Sequence, residues 1–197
     1  MEKTRKNTLL LLFIAVILIL IDQITKFSVM GVPFLGVPTG VGIKNGEYIN
    51  VIGDFLQFTY VENPGMAFGI SFGSLKIILT LFSLVASAGI IYLLFKYENI
   101  KKWLRFGLML ILAGAFGNFI DRMFYGIWFQ AGELFHGRVV DFLLVDIPDI
   151  HLGNIFYSHW PVFNIADSCV TIGVIVLLLN YKHLSEFEQK RIPENDN

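Results

Sequence analysis

The stretch VFNIADS, residues 162–168, opens the last long apolar segment of the chain with an asparagine and an aspartate. An ionised carboxylate at bilayer depth is costly, so a lipid-facing position is unfavourable for it. Four polar residues of this segment follow i, i+3, i+4, i+7 spacing and would share a helical arc of about 60°. They are Asn164, Asp167, Ser168 and Thr171. The spacing predicts a helix with one polar face directed into protein or trapped water, with helix capping as an alternative role for Asn164.

The whole chain has the composition of a membrane protein. Of its 197 residues, 55% are hydrophobic and 15% aromatic, and the mean hydropathy is +0.64, so it is more apolar than a typical soluble domain. The net charge of −1 and the lack of a basic stripe argue against nucleic acid as a partner. The single cysteine, Cys169, excludes an internal disulfide and is expected to be a buried apolar residue.

Apolar segments of near-spanning length predict an integral membrane, mainly α protein with four transmembrane helices. The first resembles a signal peptide, but no small-residue cleavage site follows it. Its apolar pattern also resumes past Asp22 and Lys26. The predicted spans are about 8–30, 75–97, 103–123 and 162–181.

The distribution of lysine and arginine predicts the orientation of these helices. Basic residues concentrate in the N-terminal arm, in the short connection between the second and third helices, and in the tail 182–197. The connections 31–74 and 124–161 contain one basic residue each. Because cytoplasmic loops are enriched in Lys and Arg, both termini are expected in the cytoplasm and both connections outside. We expect residues 1–197 to form a single membrane domain.

The two outer segments contain strand-like runs. Residues 55–61, FLQFTYV, alternate between apolar and polar, which predicts a small β-sheet platform at the membrane surface. The run RVVDF, residues 138–142, is also strand-like. The remainder of the second segment is expected to be an outer loop with solvated polar residues, and a gate over the site is the alternative. These are Asp146, Asp149, His151 and Asn154.

Polar residues also interrupt the first and third helices. Asp22 and Lys26 are four residues apart, which favours a charge pair that snorkels to water and supports a site. In GAFGNFIDR, residues 114–122, Asn118, Asp121 and Arg122 point to one side, although Asp121 and Arg122 could neutralise each other. Small residues on this helix predict close approach of a neighbour. They are Ala113, Gly114 and Gly117.

Asp141 supplies a second carboxylate from a different element. If the second outer segment folds over the fourth helix, Asp141 and Asp167 meet at a poorly solvated interface, where one keeps its proton and the other acts as a base. Such a pair can activate water for attack on a carbonyl. Intramembrane carboxylates also mark proton paths, so a small proton-coupled membrane carrier remains the alternative, although no internal repeat supports it.

Other chemistries fit the sequence less well. The four histidines have no metal-ligand spacing, and no H-E-x-x-H, G-x-S-x-G or glycine-rich phosphate loop occurs. We therefore expect no metal and no cofactor.

Five sequence blocks resemble those of bacterial lipoprotein signal peptidases (signal peptidase II), in the order of that family. They are Asp22-x-x-x-Lys26, Glu62–Gly69, Gly114–Arg122, Gly137–Phe142 and Phe163–Ser168. The second outer segment is longer than this family leads us to expect. The five blocks together span nearly the whole chain from 22 to 168, so the agreement does not depend on one motif.

The resemblance implies a four-helix aspartic peptidase of the bacterial cytoplasmic (inner) membrane, with its site near the outer face. It would cleave the signal peptide from diacylglyceryl prolipoproteins before the lipidated cysteine, in contact with membrane lipid, without a cofactor and as a monomer. Inhibition by globomycin is also implied. The catalytic dyad would be Asp141 and Asp167. Other site residues implied by the motifs are Asn63, Asn118, Arg122 and Asn164 as lining residues, and Asp22, Lys26 and Asp121 as support.

Overall fold

The computed structural model describes residues 2–31, 43, 47–64, 66–67, 70–71, 76–97, 100–129, 132–152 and 155–182. These residues form four helices and six strands. The helices are α1 (Glu2–Met30), α2 (Lys76–Lys96), α3 (Lys102–Trp128) and α4 (Ile165–Leu179). Among the described residues, α1, α2 and α3 are long and apolar enough to cross a membrane. The mainly helical membrane fold is therefore confirmed for three spans.

Helix α4 is shorter than the predicted fourth span. It has 15 residues, or about 22 Å at 1.5 Å per residue, against a hydrocarbon core of about 30 Å. It starts three residues later than the predicted span because Asn164 caps it. A fourth crossing over 162–181 stays a prediction. Helix α3, by contrast, continues to Trp128, five residues past its predicted end.

Exposed apolar side chains on α1 and α2 give the molecule a lipid-type surface. Phe82 and Val85 are 70% and 68% exposed, and Phe13 on α1 is 61% exposed. In water such surfaces would be unfavourable, whereas lipid tails solvate them. Helix α3 has more buried residues than any other described helix, so it is the central helix of the bundle.

Glycines on α3 permit close packing against α4. A Cβ atom at Gly114 would lie 2.2 Å from the carbonyl oxygen of Ala166, and one at Gly117 would lie 3.2 Å from the Ala166 side chain. The prediction that small residues here admit a neighbouring helix is confirmed. Cys169 of α4 is buried in the same core, as expected, with 6% of its surface exposed.

A small antiparallel sheet covers one end of the helices. Its order is β1-β2-β5-β6, and β3 and β4 form a separate two-stranded hairpin. The strands are β1 (Tyr48–Ile52), β2 (Leu56–Asn63), β3 (Met66–Ala67), β4 (Ile70–Ser71), β5 (Val139–Leu152) and β6 (Ile155–His159). The predicted strands at 55–61 and 138–142 are confirmed as parts of β2 and β5. Val29 at the end of α1 packs with Phe142 of β5, which seats the sheet on the bundle.

The second outer segment is a hairpin and not the loop expected from sequence. Strand β5 extends for 14 residues and returns through β6, because β2 provides a pairing edge for its first half. Asp146 and Asp149 are exposed residues of β5. His151 belongs to the backbone of β5, whereas Asn154 lies outside the described residues.

Candidate active site

Helix α4 begins with a reciprocal capping box. The side-chain oxygen of Asn164 accepts a hydrogen bond from the backbone N–H of Asp167 at 2.8 Å, and the Asp167 carboxylate accepts one from the backbone N–H of Asn164 at 3.4 Å. This arrangement satisfies two backbone donors. The capping role of Asn164 is confirmed. The same contacts hold the Asp167 carboxylate at a helix N-terminus, where the helix dipole stabilises negative charge.

The other two members of the predicted polar face do not join this cluster. The Ser168 hydroxyl donates to the carbonyl oxygen of Asn164 one turn back, at 3.0 Å. Thr171 is exposed. The prediction of one continuous inward polar face was therefore wrong, because a hydroxyl can be satisfied by its own helix backbone and is not forced into a site.

Asp141 approaches α4 from strand β5. The Asn164 amide donates to Asp141 Oδ1 at 2.7 Å, and the Asn63 amide donates to Oδ2 at 3.2 Å. Val61 lies opposite Asp141 in the β2–β5 register, so Asn63, two residues further along, lies on the same face. Asn164 thus contacts both carboxylates, Asp141 through its amide and Asp167 through the capping box.

Asn118 of α3 provides a third link. Its Nδ2 donates to Asp167 Oδ1 at 2.7 Å. Its Oδ1 accepts from Lys26 Nζ and from Asn164 Nδ2, each at 3.2 Å. Two donors at the oxygen hold the Asn118 amide in the orientation that donates to Asp167.

Lys26 is buried and does not extend to water. Its Nζ lies 2.8 Å from Asp22 Oδ2 and 2.7 Å from Asp121 Oδ2, and both Lys26 and Asp22 are at most 1% exposed. With Asn118 as the third acceptor, all three ammonium protons can be used. The prediction of a snorkelling pair was wrong, because Asp121 supplies a second carboxylate in the interior. Asp22 also accepts from the Ala166 N–H of α4 at 2.9 Å.

Asp121 forms its ion pair with Lys26 of α1, which reaches the carboxylate directly. The charges of Asp121 and Arg122 also interact, as expected, although the two side chains form no ion pair among the described residues. Asp121 Oδ2 also accepts from the Val140 N–H at 3.3 Å, one residue before Asp141. A Cβ at Gly137 would lie 2.0 Å from the Asp121 carbonyl oxygen, so only glycine permits this approach of β5 to α3.

Arg122 lies beside the two carboxylates. Its Nη1 donates to the Asn118 carbonyl oxygen at 3.4 Å, and its charge interacts with those of Asp121, Asp167 and Asp141. Its buried Nε has no hydrogen-bond partner among the described residues. Buried donors are normally satisfied, so this one is an unsatisfied polar group beside the two carboxylates.

Sequence reasoning missed Gln23 and Tyr125. The Gln23 amide donates to Asp121 Oδ1 at 2.9 Å and accepts from the Tyr125 hydroxyl at 2.9 Å. Gln23 therefore ties α1 to α3 beside the Lys26 cluster. An amide next to Asp22 inside a spanning helix was the available signal, because such a group needs a partner in lipid.

The two carboxylates occupy different electrostatic settings. Burial, followed by the charge of Asp167, raises the pKa of Asp141 from 3.8 to about 7. Hydrogen bonds from Asn63 and Asn164 act in the opposite direction. Asp141 thus holds a proton below about pH 7. Within the described residues, no group of three or more His, Cys, Asp or Glu side chains is arranged to bind a metal ion.

Comparison with known proteins identifies the family. Residues 14–182 match the family model Peptidase A8, described as signal peptidase (SPase) II. The chain belongs to the signal peptidase II family. It is therefore a peptidase, which favours hydrolysis over the carrier alternative.

Relatives from this family match the chain over most of its length. The lipoprotein signal peptidase of Chlorobium phaeobacteroides (strain BS1) is 39% identical over 168 residues, covering 85% of this chain and 92% of the relative. That of Porphyromonas gingivalis is 38% identical over 193 residues, covering 84% and 80%. A bacterial membrane enzyme solved by the in meso method at 1.9 Å resolution is 29% identical, with a TM-score of 0.62, covering 89% and 92%. These likenesses and the apolar helices indicate a membrane location.

Proposed function

We propose that this chain is an aspartic endopeptidase that removes the signal peptide from diacylglyceryl-modified prolipoproteins, with Asp141 and Asp167 as its catalytic residues. The contact of Asn164 with both carboxylates carries the proposal. It links a strand and a helix that are distant in sequence. Asn63 and Asn118 donate to the same two carboxylates from two further elements.

The raised pKa of Asp141 assigns the proton to this residue in the resting enzyme. Asp167 then acts as the base, and its place at the N-terminus of α4 and the hydrogen bond that it accepts from Asn118 favour this role. Two interacting carboxylates that share one proton keep a net charge near −1. The pair therefore contains an acid and a base at the same pH.

This arrangement supports hydrolysis of a peptide bond by an activated water. Asp167 takes a proton from the water as its oxygen bonds to the scissile carbonyl carbon, and Asp141 donates its proton to the carbonyl oxygen. When the tetrahedral intermediate collapses, the C–N bond breaks and the amine leaves with the proton held by Asp167. The intermediate's hydroxyl proton returns to Asp141, so both carboxyl groups end as they began. Arg122 lines the site and holds the substrate backbone.

The Asp22–Lys26–Asp121 cluster acts as support. Lys26 orients Asn118, and Asp121 holds the backbone of β5 through Val140. Neither contact reaches a substrate. These three residues therefore position the amides and the strand that carry the site.

The substrate class follows from the family and from the location of the site. The site lies at the end of the helices that carries the sheet, whereas the basic α2–α3 connection is at the opposite end. The positive-inside rule puts the sheet on the outer side of a bacterial cytoplasmic membrane and both termini in the cytoplasm. A diacylglyceryl prolipoprotein is already confined to this bilayer, so it can enter laterally and be cut before its lipidated cysteine. The chain can do this as a monomer.

The test is cleavage by the purified full-length protein in lipid nanodiscs. A diacylglyceryl prolipopeptide should be cut before the modified cysteine, as read from product masses, and globomycin should inhibit the cut. The unlipidated peptide should be cut far more slowly. Equal cleavage of both peptides would contradict the lipid-dependent function, and cleavage at another bond would contradict the assigned position.

A further inference from the structure

The sheet carries an open groove that the catalytic proposal does not use. Its volume is about 510 Å³, within the range of small-molecule and peptide sites. It spans strands β1, β2, β5 and β6, and it also includes Val162, which lies between β6 and α4. The lining residues are Tyr48, Gln57, Thr59, Val61, Leu144, Asp146, His159 and Val162.

The groove and the Asp141 carboxylate lie on one face of the sheet. Gln57, Thr59 and Val61 alternate along β2, and alternate residues of a strand share a face. Val61 is directly opposite Asp141, and Gln57 is directly opposite Leu144. Directly opposed residues also share a face. The groove is therefore continuous with the candidate active site.

The two halves of a prolipoprotein leave the scissile bond in different directions. The signal segment is apolar and remains in the bilayer, whereas the mature segment is polar and must leave it. A sheet at the outer end of the helices can bind only the polar mature segment. Five residues of β5 separate Asp141 from Asp146, or about 16 Å at 3.3 Å per residue. An extended peptide covers that distance in about five residues.

Charge indicates what the far end of the groove accepts. Asp146 is exposed, and it is the acidic side chain among the described residues that line the groove. Its backbone N–H donates to the carbonyl oxygen of Phe55 at 3.0 Å, and His159 lies opposite it on β6. The strand is thus fixed while the carboxylate stays free to meet a ligand. A carboxylate in a part-exposed groove favours a cationic partner and disfavours an anionic one.

Resting on the proposed function, we propose that this groove binds the mature segment of the precursor and that Asp146 selects a basic side chain about four to five residues after the scissile bond. Asp146 is a specificity residue and takes no part in the chemistry. Its contribution is to substrate binding, so it changes KM and leaves kcat nearly unchanged.

The experiment uses diacylglyceryl prolipopeptides that differ only at the fourth and fifth mature residues, which are both Lys, both Ser or both Glu. The full-length enzyme in nanodiscs of zwitterionic lipid should show kcat/KM about fivefold higher for the Lys peptide than for the Glu peptide, mainly through KM. In Asp146→Asn the ratio should approach one, and in Asp146→Lys it should invert. The Ser peptide should be cleaved equally by all three enzymes.

The control is Asp149→Asn, three residues further along β5, exposed and outside the groove lining. It should keep the wild-type preference. Equal cleavage of Lys, Ser and Glu peptides by the wild type, or a preference that survives Asp146→Asn, overturns the subsite. Failure to cleave any lipidated peptide instead overturns the proposed function, and the subsite with it.

Discussion

Two polar clusters lie side by side in this molecule, and they differ in how completely their groups are satisfied. In the Lys26 cluster, one ammonium group has three acceptors, two of them carboxylates, and the ion-paired side chains are at most 1% exposed. In the cluster around Asp141 and Asp167, neither carboxyl group forms an ion pair with a cationic side chain among the described residues. A guanidinium nitrogen of Arg122 has no hydrogen-bond partner among the described residues.

The difference separates support from chemistry. A saturated buried ion pair resists change, because removal of one partner leaves an uncompensated charge. A carboxyl group with a raised pKa beside a second carboxyl group is set up to exchange protons. Asn118 connects the two clusters, since it accepts from Lys26 and donates to Asp167.

The largest expected effect is on turnover in the unsaturated cluster. Asp141→Asn and Asp167→Asn should each lower kcat/KM by about 10³- to 10⁴-fold, because each removes an acid or a base from the reaction. Both proteins should still unfold cooperatively. Initial rates of prolipopeptide cleavage measure the loss. Asp54→Asn, at an exposed turn position between β1 and β2, is the matched control and should retain activity. Full activity in either dyad variant would remove that residue from the mechanism.

The saturated cluster should respond mainly in stability. Lys26→Met leaves Asp22 and Asp121 buried without their cation, so the free energy of unfolding should fall by about 3–5 kcal/mol. Thermal unfolding can be followed with a thiol-reactive dye, because Cys169 is the single cysteine and is 6% exposed. Lys102→Met, at the exposed start of α3, should unfold like the wild type. An unchanged melting curve with lost turnover would make Lys26 part of the chemistry.

Asn118 should show both kinds of loss, because it belongs to both clusters. Asn118→Ala removes a charge-assisted hydrogen bond to Asp167 and an acceptor from Lys26, so kcat/KM should fall about 10- to 100-fold and stability by about 1–3 kcal/mol. The same two assays measure these effects. Asn180→Ala, at the C-cap of α4, is a control that should leave turnover intact. A variant that loses stability alone would show that Asn118 does not orient Asp167.

Sequence patterns predicted the elements of the fold better than their ends. Hydropathy located all four helices, and alternation located β2 and the start of β5. The start of α4 was placed too early because a spanning-length window does not recognise the cap at Asn164. Strand β5 was underestimated because its length depends on pairing with β2 and β6, which lie elsewhere in the chain.

Within the site, the approach of Asp141 to α4 was expected, but spacing along one helix did not reveal the contacts between α1 and α3. The spacing of Asp22 and Lys26 predicted their ion pair. It could not predict that Asp121 of α3 would complete the charge compensation. The interaction between Gln23 and Tyr125 depends in the same way on the packing of α1 against α3. Helical spacing predicts which side chains share one face of a helix. The partner of a buried charge is instead determined by packing between helices.

The last expected effect is the pH dependence contributed by Asp141. Its pKa rises from 3.8 to about 7 on folding, so the folded state binds a proton that the unfolded state releases above about pH 4. The resulting stability is fully present below about pH 4 and is lost as pH rises to about 7. Relative to Asp141→Asn, wild-type stability should therefore decline across this window, whereas Asp54→Asn should parallel the wild type. Thermal unfolding at several pH values measures the difference, and parallel curves for wild type and Asp141→Asn would show that Asp141 does not hold the proton. Turnover should also fall above about pH 7, where Asp141 can no longer act as an acid.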